Sequence, residues 1–391
     1  MKSDLKMGKN DKKIALIQDS LLIKGGSERI FQYMVEAFPD ADIFTLAYNP
    51  LTTWPAFKRY QINTSWANPF IQSHARFKIL FPFATQVMKN WELKGYDVVL
   101  SSSATVAKYV SRIDGLHVCY CYYPTRAIWN PDGYFNNNGL KERAFRAVLP
   151  HLRKQDLIAA QNVDQFIAIS KATQAAIKEI YGLPSEVMSC PIDFDRFKHG
   201  RYEEKMDYFL IVSRLEHWKQ VGYAIEAFNK LGLPLKIIGS GSEEIALKSI
   251  AKDNIHFLGD VDDSTLAQEY GRAKAVIFTP ELEYGLVPLE ANAAGTPVIA
   301  LGKGGVTETM VPANNAVDTS TSPTAVFFDE PSSTALSNAI RFFDRVEFDR
   351  DELIAHASRY SIPAFKSQIQ DYIDKLIFDE KEGEKIQRTV N

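Results

Sequence analysis

The sequence predicts an α/β protein made of two parallel-sheet domains with a cleft between them. Short apolar runs alternate with amphipathic stretches through both halves of the chain, a pattern typical of strands joined by crossover helices. In each half, one apolar run leads into glycine or basic residues that open a helix, which is where parallel sheets bind anionic ligands. The 391 residues suffice for two domains with a core each.

Composition excludes several classes of protein. Apolar residues make up 46% and charged residues 24% of the chain, as in a globular protein rather than a disordered or fibrous one. The net charge of -3 gives no reason to expect a nucleic-acid partner. Because no stretch approaches the roughly 20 apolar residues that cross a bilayer, we expect any membrane contact to be peripheral.

Cysteine usage and the N-terminus both favour a cytoplasmic protein. Cys119, Cys121 and Cys190 form an odd, sparse set, which argues against a disulfide framework and predicts buried thiols in a reducing compartment. Residues 1–12 are rich in lysine and lack the apolar core of a signal peptide. We therefore expect a disordered basic tail at this end.

The first predicted domain covers residues 13–203. Apolar runs predict strands at 13–18, 97–101, 117–122 and 164–170. Helical periodicity is clearest over 28–38 and 171–181, and Gly182 and Pro184 end the second of these helices.

The second predicted domain covers residues 204–362, and its cycle of strands restarts at 208–213 after a polar stretch. Further strands are predicted at 235–238, 255–258, 275–279 and 298–301. No strand follows in residues 363–391. We expect a helix there from Pro363 to about residue 378 that packs back on the first domain, and then a disordered charged tail.

An unusual segment interrupts the first domain at residues 51–94. It holds six Lys or Arg, one acid and nine aromatic residues, a mixture that suits a membrane interface. A subdomain core of aromatics with solvated cations explains the same composition. Five further cations, predicted to lie on a helix at 140–157, extend the membrane hypothesis: Lys141, Arg143, Arg146, Arg153 and Lys154.

Six motifs follow one another along the chain: Gly25-Gly26, YDVVLSSS at 96–103, YCYYPTR at 120–126, ISK at 169–171, Arg214 with Lys219, and GLVPLEA at 285–291. In this order they resemble the retaining nucleotide-sugar glycosyltransferases of family four, the glycosyl transferases group 1. The resemblance implies the GT-B fold, in which two Rossmann-like domains flank an interdomain cleft. It also implies an N-terminal acceptor-binding domain and a C-terminal nucleotide-sugar-binding domain.

Arg214 and Lys219 are the residues that the resemblance marks for catalysis and donor binding. A forked guanidinium and an ammonium can neutralise the diphosphate that leaves when a sugar is transferred. Both follow the strand at 208–212, so we expect them at the carboxyl end of the sheet. Taken without the family, an Arg and a Lys at this spacing also suit an exposed helix start.

Glu290 is expected to accept hydrogen bonds from the ribose hydroxyls of the donor, as the matching family glutamate does. A carboxylate suits two neighbouring hydroxyl donors because it only accepts. We expect Glu290 to begin a helix of small residues. The residues just before it, Gly285, Leu286 and Val287, are expected to line the donor site by the same resemblance.

Two positions depart from the family pattern. Where the family has its other glutamate this chain has Leu282, flanked by Glu281 and Glu283, and we assign Glu283 to the sugar hydroxyls and to catalysis. Where relatives carry a histidine next to the donor sugar this chain has Tyr122, which does not titrate near neutral pH. Strand alternation points His117 to the opposite face, as a core residue.

The remaining site residues lie on two loops of the first domain. Gly25 and Gly26 let a loop approach the donor, and the amides of the following helix favour anions. Arg126 either contacts an acceptor or donor phosphate or pairs with a surface acid. Asp260, Asp262 and Asp263 suit helix capping better than metal binding. We expect no metal and no cofactor other than a GDP- or UDP-linked donor substrate.

These expectations combine into one leading function and two alternatives. The leading hypothesis is a retaining hexosyltransferase, with mannose as first guess, that acts on a glycan or lipid-linked acceptor in surface polysaccharide or glycoconjugate biosynthesis. It is expected in the cytoplasm, peripheral to an anionic membrane. The alternatives are a nucleotide-sugar-binding scaffold with impaired catalysis and a nucleotide-sugar epimerase of the same fold.

Overall fold

The computed structural model describes residues 12–131, 140–313 and 322–390 of the chain. They form two compact units: unit 1 contains the chain up to Ile169, Thr173–Met188 and the chain from Lys366, and unit 2 contains Ser170–Ala172 and Ser189–Phe365. Unit 2 thus begins earlier than the predicted start at residue 204. Residues before 204 join it because Phe197, which is fully buried, packs edge-on against Tyr270 at 5.4 Å.

Unit 1 is built on a seven-stranded parallel sheet in the order β3-β2-β1-β5-β7-β8-β9. The central strands β1 and β5 are buried at each position, and all of their residues except Gln18 are apolar or small, as expected for strands covered on both faces. A separate two-stranded sheet pairs β4 with β6. The strands are β1 Ile14–Gln18, β2 Asp42–Thr45, β3 Ile62–Thr64, β4 Glu92–Leu93, β5 Val98–Ser103, β6 Arg112–Ile113, β7 Leu116–Cys121, β8 Gln165–Ala168 and β9 Ser185–Val187.

The helices of unit 1 cover this sheet. Most present one apolar face to the core; α6 ends before Gly182, whose φ of 72° is a left-handed conformation that glycine adopts at little cost. The helices are α1 Gly26–Ala37, α2 His74–Ile79, α3 Phe81–Lys89, α4 Arg126–Trp129, α5 Leu140–Gln161 and α6 Lys171–Tyr181, with short 3-10 turns at Pro55–Arg59, Asn68–Phe70 and Ala107–Tyr109.

Unit 2 is built on a six-stranded parallel sheet in the order β12-β11-β10-β13-β14-β15. Strands β13 and β14 are wholly buried, again because helices lie on both faces. The strands are β10 Phe209–Val212, β11 Leu235–Ile238, β12 Ile255–Gly259, β13 Ala275–Phe278, β14 Val298–Leu301 and β15 Ala325–Phe328. The helices are α7 Val221–Leu231, α8 Glu244–Ile250, α9 Asp263–Arg272, α10 Leu286–Ala293, α11 Val306–Thr309, α12 Ser333–Phe343 and α13 Arg350–Ser358.

The last helix, α14, spans Ile362–Val390. Its residues Ile369, Ile373 and Ile377 are buried at every fourth position and so form one apolar stripe. Lys366 at the start of this stripe pairs with Glu36 of α1 at 2.7 Å. The expectation of a disordered tail after residue 378 is wrong, because the helix continues to Val390. Of the predicted tail 1–12, residues 1–11 lie outside the described part of the chain, and Lys12 pairs with Asp374.

Candidate functional site

Each sheet has one point where the order of its strands reverses. In unit 1 the reversal falls between β1 and β5, and in unit 2 it falls between β10 and β13. In open parallel sheets, ligands bind outside the carboxyl ends of the strands at this switch point. The predicted site residues follow strands at or beside these points: Gly25 and Gly26 follow β1, Arg214 and Lys219 follow β10, and Glu290 follows β13.

In unit 2, the side chains of Arg214 and Lys219 meet on one aromatic ring. The guanidinium carbon of Arg214 lies 5.5 Å from the centre of the Trp218 ring system, and Lys219 Nζ lies 4.3 Å from it. Arg214 is exposed and Lys219 is half-buried. The two predicted phosphate-binding cations are therefore brought together by a loop whose short 3-10 turn, His217–Lys219, ends at the second of them.

The backbone of this loop is held by its neighbours. Thr279, directly after β13, donates from Oγ1 to the carbonyl of Lys219 at 2.6 Å, which ties the two strand ends of the switch point together. Gly239, after β11, has a φ of 118°, and a Cβ there would overlap the carbonyl oxygen of Ser213. Only glycine fits such a close approach. Neither Thr279 nor Gly239 was singled out from the sequence.

Glu290 lies on α10 and accepts a hydrogen bond from a buried tyrosine. Tyr270 of α9 donates from its hydroxyl to Glu290 Oε2 at 2.9 Å. Burial, together with the charge of Glu290, holds the pKa of the Tyr270 phenol well above its usual range, so it stays a donor. Arg196, which pairs with Asp263, adds positive charge beside the carboxylate; burial opposes its ionisation, but Asp263 and Glu290 raise its pKa. Half-exposed Glu290 is thus oriented from one side.

The segment before Glu290 differs from the prediction in one respect. Helix α10 begins at Leu286 with Gly285 as its N-cap, so Glu290 is in the helix interior rather than at its start. Val287 is half-buried in the first turn of this helix. Periodicity could not locate this start because the apolar run 285–289 has no polar capping residue.

Before this helix lie the three residues 281–283, where the sequence departs from the family pattern. Glu281 is exposed, and Glu283 is half-buried. Leu282 forms a bridge with Gly304, and its carbonyl accepts from the Gly305 amide at 2.8 Å. This turn joins the end of β13 to the loop after β14, which sequence analysis had not connected to the site.

In unit 1, the Gly25-Gly26 loop starts α1, whose N-cap is Gly25. Trp54 donates from its indole to the Gly25 carbonyl at 3.0 Å, and its ring lies 4.2 Å from the guanidinium of Arg29. Trp54 belongs to the aromatic segment 51–94, so that segment supports this loop directly. A Cβ on Gly25 would overlap the carboxylate of Glu28, which folds back towards the helix start.

Tyr122 lies beside the same helix start. Its hydroxyl donates to the Ser27 carbonyl at 3.1 Å and is 3.0 Å from the hydroxyl of Ser102 on β5. The structure thus brings Tyr122 to the Gly25-Gly26 loop. The guanidinium of Arg126 lies 5.5 Å from the centre of the Tyr123 ring.

His117 is buried in the sheet, as strand alternation predicted. Its Nε2 is 2.9 Å from the hydroxyl of Ser101. Desolvation by burial lowers the pKa of His117 to about 4, so the imidazole is neutral at physiological pH. The three cysteines are also buried, as expected.

Asp19 supports the site edge of unit 1 and was missed in the sequence. Its carboxylate accepts four backbone amides, from Ala104, Thr105, Val106 and Ala107, at 2.6–2.8 Å. Asp19 follows β1 and the four amides follow β5, so one buried carboxylate joins both strand ends of the switch point. An acid directly after a buried strand was the signal that could have identified it.

The acidic cluster caps a helix. Asp262 accepts from the amide of Thr265 at 2.8 Å and so caps α9, as predicted. Among the described residues, no group of three or more His, Cys, Asp or Glu is arranged to hold a metal ion. Within the same ranges, every helix is too short or too polar to cross a bilayer.

Comparison with known proteins gives a family for the larger part of unit 2. Residues 191–360 match the family described as glycosyl transferases group 1. An uncharacterized glycosyltransferase from Methanocaldococcus jannaschii is 30% identical over 172 residues, which are 37% of this chain and 44% of that protein. This chain therefore spans less than half the length of that relative.

Longer but weaker similarities cover most of the chain. An alpha-1,3/1,6-mannosyltransferase from Kluyveromyces lactis is 24% identical over 374 residues, covering 78% of this chain and 72% of that protein. The structure of Anabaena HepE in complex with UDP superposes with a TM-score of 0.65 at 17% identity, covering 93% of this chain and 100% of that one. The structural similarity confirms the two-domain α/β fold of the GT-B type, and the match to the predicted family covers residues 191–360.

Proposed function

We propose that this chain, whose residues 191–360 match the glycosyl transferases group 1 family, transfers a hexose from a nucleotide diphosphate sugar to a glycan or lipid-linked acceptor, with retention of anomeric configuration. One observation carries the proposal. Arg214 and Lys219 meet on the Trp218 ring at the strand switch point of unit 2.

The chemistry of transfer explains why two cations matter. The bond between the anomeric carbon and a phosphate oxygen breaks, and the diphosphate leaves with the electron pair. An acceptor hydroxyl oxygen bonds to the carbon, and its proton passes to the departing diphosphate. Negative charge grows on the diphosphate as that bond breaks. Arg214 and Lys219 stabilise this charge in the transition state more than in the ground state, and that difference accelerates the reaction.

Glu290 and its neighbours would hold the rest of the donor. We assign the ribose hydroxyls to Glu290, whose carboxylate is oriented by the Tyr270 hydroxyl. Gly285, Leu286 and Val287 form the N-terminal turn of α10, whose amides favour an anion. Glu283, half-buried beside this turn, would accept hydrogen bonds from the sugar hydroxyls, with exposed Glu281 as the second carboxylate.

Unit 1 would supply the acceptor contacts. Tyr122 is assigned to the acceptor or the sugar, whereas the N-terminus of α1 beside it, at Gly25-Gly26, is assigned to an anionic group of the donor. Arg126 is assigned to the acceptor side. A mannose-type donor is supported by the similarity to the yeast mannosyltransferase, whereas UDP is supported by the HepE complex; both GDP- and UDP-sugars are therefore candidates.

We also assign a peripheral membrane contact to the segment 51–94. Both sequence interpretations of that segment apply in part: Phe57, Phe77 and Phe81 are buried in the core, whereas Trp66, Phe70 and Ile79 are 61–70% exposed. Arg76 and Lys78 are exposed beside them on α2. Apolar side chains next to cations suit the headgroup region of an anionic bilayer, where a lipid-linked acceptor would be found.

The test is turnover across a panel of GDP- and UDP-sugars, with and without detergent-solubilised lipid acceptors. We expect one donor to release its nucleoside diphosphate, slowly alone and faster with the correct acceptor, and the product to keep the donor's anomeric configuration. Release from none of the donors under either condition would reject the enzyme proposal.

A binding scaffold is the second candidate. The position of the family's first glutamate is occupied by Leu282, whose backbone is engaged with Gly304 and Gly305. A donor would then bind without being cleaved. Calorimetric binding of a nucleotide sugar that yields no product with any acceptor would favour the scaffold over the enzyme.

A further inference from the structure

The ring of Trp218 lies close to both predicted phosphate-binding cations, Arg214 and Lys219. We propose that Trp218 is a positioning residue, which holds Arg214 and Lys219 side by side so that they receive a diphosphate group. The inference rests on the proposed function, because it assigns a role within the same donor site. The sequence motif alone marked the two cations and left the residue between them without a role.

The backbones of both cation-bearing residues are already fixed. The Arg214 carbonyl accepts from the Glu216 amide at 2.9 Å, and the Lys219 amide donates to the Glu216 carbonyl at 2.8 Å. Gln220 then turns the chain with a φ of 54°, a left-handed conformation that is uncommon outside glycine. The loop backbone therefore has little freedom, and the positions of the two long side chains decide how they meet a ligand.

Electrostatics explains why an aromatic ring is needed at this position. Two positive side chains aimed at one site repel each other while no anion is bound. The face of an indole carries partial negative charge and attracts cations within about 6 Å of the ring centre, more strongly than a phenyl ring does. Trp218 can thus offset the repulsion and keep both cations near the carboxyl end of β10.

The packing of Trp218 argues against a purely structural role. Its side chain is 37% exposed, whereas Leu215 in the same loop is completely buried. Burying Leu215 anchors the loop to the core, so the indole is not needed for that purpose. An exposed aromatic ring between two cations is instead suited to a ligand that carries several negative charges close together, such as a diphosphate.

The experiment compares the full-length wild type with Trp218→Phe and Trp218→Leu by calorimetry. The ligands are UDP, GDP and inorganic pyrophosphate. We expect Trp218→Leu to weaken all three by about tenfold, roughly what two cation–π contacts contribute, and Trp218→Phe to fall between it and the wild type. Trp66→Leu, at an exposed tryptophan of unit 1, is the matched control and should bind like the wild type.

Fluorescence supplies a readout that a structural role would not give. Trp218 is the single tryptophan in residues 189–365, and the other four lie before residue 130. We expect pyrophosphate bound by the cations beside the indole to change its emission in the wild type and in Trp66→Leu. The change should be absent from Trp218→Phe.

Three results would overturn the inference. Equal affinity of the wild type and Trp218→Leu for all three ligands would remove the positioning role while leaving the proposed function intact. A loss confined to UDP and GDP would make Trp218 a base-stacking residue instead. Failure of the wild type to bind any of the three would reject the proposed function, and this inference with it.

Discussion

Glu290 accepts a hydrogen bond from a buried hydroxyl, and this gives the donor site a residue-level test. Tyr270 donates to it at 2.9 Å and is completely buried. Replacing Tyr270 by Phe removes the donor with little change in packing. Because hydrogen bonds to charged groups contribute about 1.5–3 kcal/mol, we expect nucleoside diphosphate affinity to fall by roughly tenfold. Calorimetry with UDP and GDP measures it.

Ligands with and without ribose hydroxyls identify the cause of the lost affinity. A 2′,3′-dideoxynucleoside diphosphate has no hydroxyls for Glu290 to accept from, so Tyr270→Phe should weaken its binding much less. Tyr208→Phe is the matched control, since the Tyr208 hydroxyl also donates to a carboxylate, that of Glu269, at 2.7 Å. Equal losses for ribose and dideoxyribose ligands would contradict the assignment of Glu290.

The buried His117 should make the stability of unit 1 depend on pH. Burial lowers its pKa from 6.5 to about 4, so the unfolded chain binds a proton between these values that the folded chain does not. The contribution of neutral His117 to the free energy of unfolding is fully present above pH 6.5, and it is lost as the pH falls towards 4. At about 1.4 kcal/mol per pKa unit, it amounts to about 3 kcal/mol.

Denaturant unfolding at several pH values measures this effect. We expect wild-type unit 1 to lose about 3 kcal/mol more than His117→Gln between pH 6.5 and pH 4. Tryptophan emission can follow the transition, because four of the five tryptophans lie in the sequence of unit 1. The control His256→Gln, at an exposed histidine, should behave like the wild type. If the free energy of unfolding had the same pH dependence in His117→Gln and in the wild type, burial of His117 would not explain the loss of stability in acid.

At the scale of the element, the sequence located the central strands and missed the edges. Each strand predicted from an apolar run is present within a residue or two, including β11 and β14 with the predicted ends. The strands β2, β3 and β9 were missed because they are short and lie towards a sheet edge, where burial is partial and the apolar pattern is weak. Strand β15 was missed although it is apolar.

Some residues of the candidate site could likewise be predicted from the sequence and others could not. Arg214, Lys219 and Glu290 could be predicted because the motif itself carries their chemistry. Trp218 and Tyr270 could not, because their roles depend on a ring that two side chains approach or on a contact with a residue distant in sequence; Asp19 had one signal, its place directly after a buried strand. The local sequence pattern indicates charge and periodicity. It does not indicate which distant residues the fold brings into contact with these side chains.

Helix α5 brings one acid into the core of unit 1, where it organises several elements. Asp156 is completely buried, pairs with Lys108 at 2.9 Å, and accepts from Tyr109, Trp129 and Tyr181 at 2.7 Å. Burial opposes ionisation of both groups, but each charge stabilises the other, so the pKa of Asp156 is lowered and that of Lys108 is raised.

Asp156→Asn should therefore destabilise unit 1 by about 3–5 kcal/mol, because it leaves the Lys108 ammonium buried without its counter-charge. Denaturant unfolding at neutral pH measures this. Glu92→Gln breaks the exposed pair with Lys94 and should cost less than about 1 kcal/mol. A cost for Asp156→Asn no greater than that of the control would mean that the buried pair contributes little.

For the whole molecule, each unit places its candidate residues at a strand switch point, and unit 1 also carries an exposed aromatic and basic surface. We expect the protein to sediment with anionic vesicles at low salt and less as salt rises, since each cation near the surface contributes on the order of 1 kcal/mol. Trp66→Ser with Ile79→Ser should weaken binding by about tenfold or more, because both side chains are largely exposed and free to insert.

The control for the vesicle experiment is Ile245→Ser. Ile245 is 86% exposed but belongs to unit 2, so its replacement should leave sedimentation unchanged. Binding that is absent at low salt, or equal binding by the double variant and the wild type, would reject the membrane contact without affecting the donor site.

The central claim is that Arg214 and Lys219 neutralise a departing diphosphate, and the rate of donor cleavage by Arg214→Gln tests it most directly. With the donor that the wild type uses, kcat for Arg214→Gln should fall by about 10²–10³, as happens when one stabilising group is removed from a developing anion. A kcat within threefold of the wild type would contradict the claim.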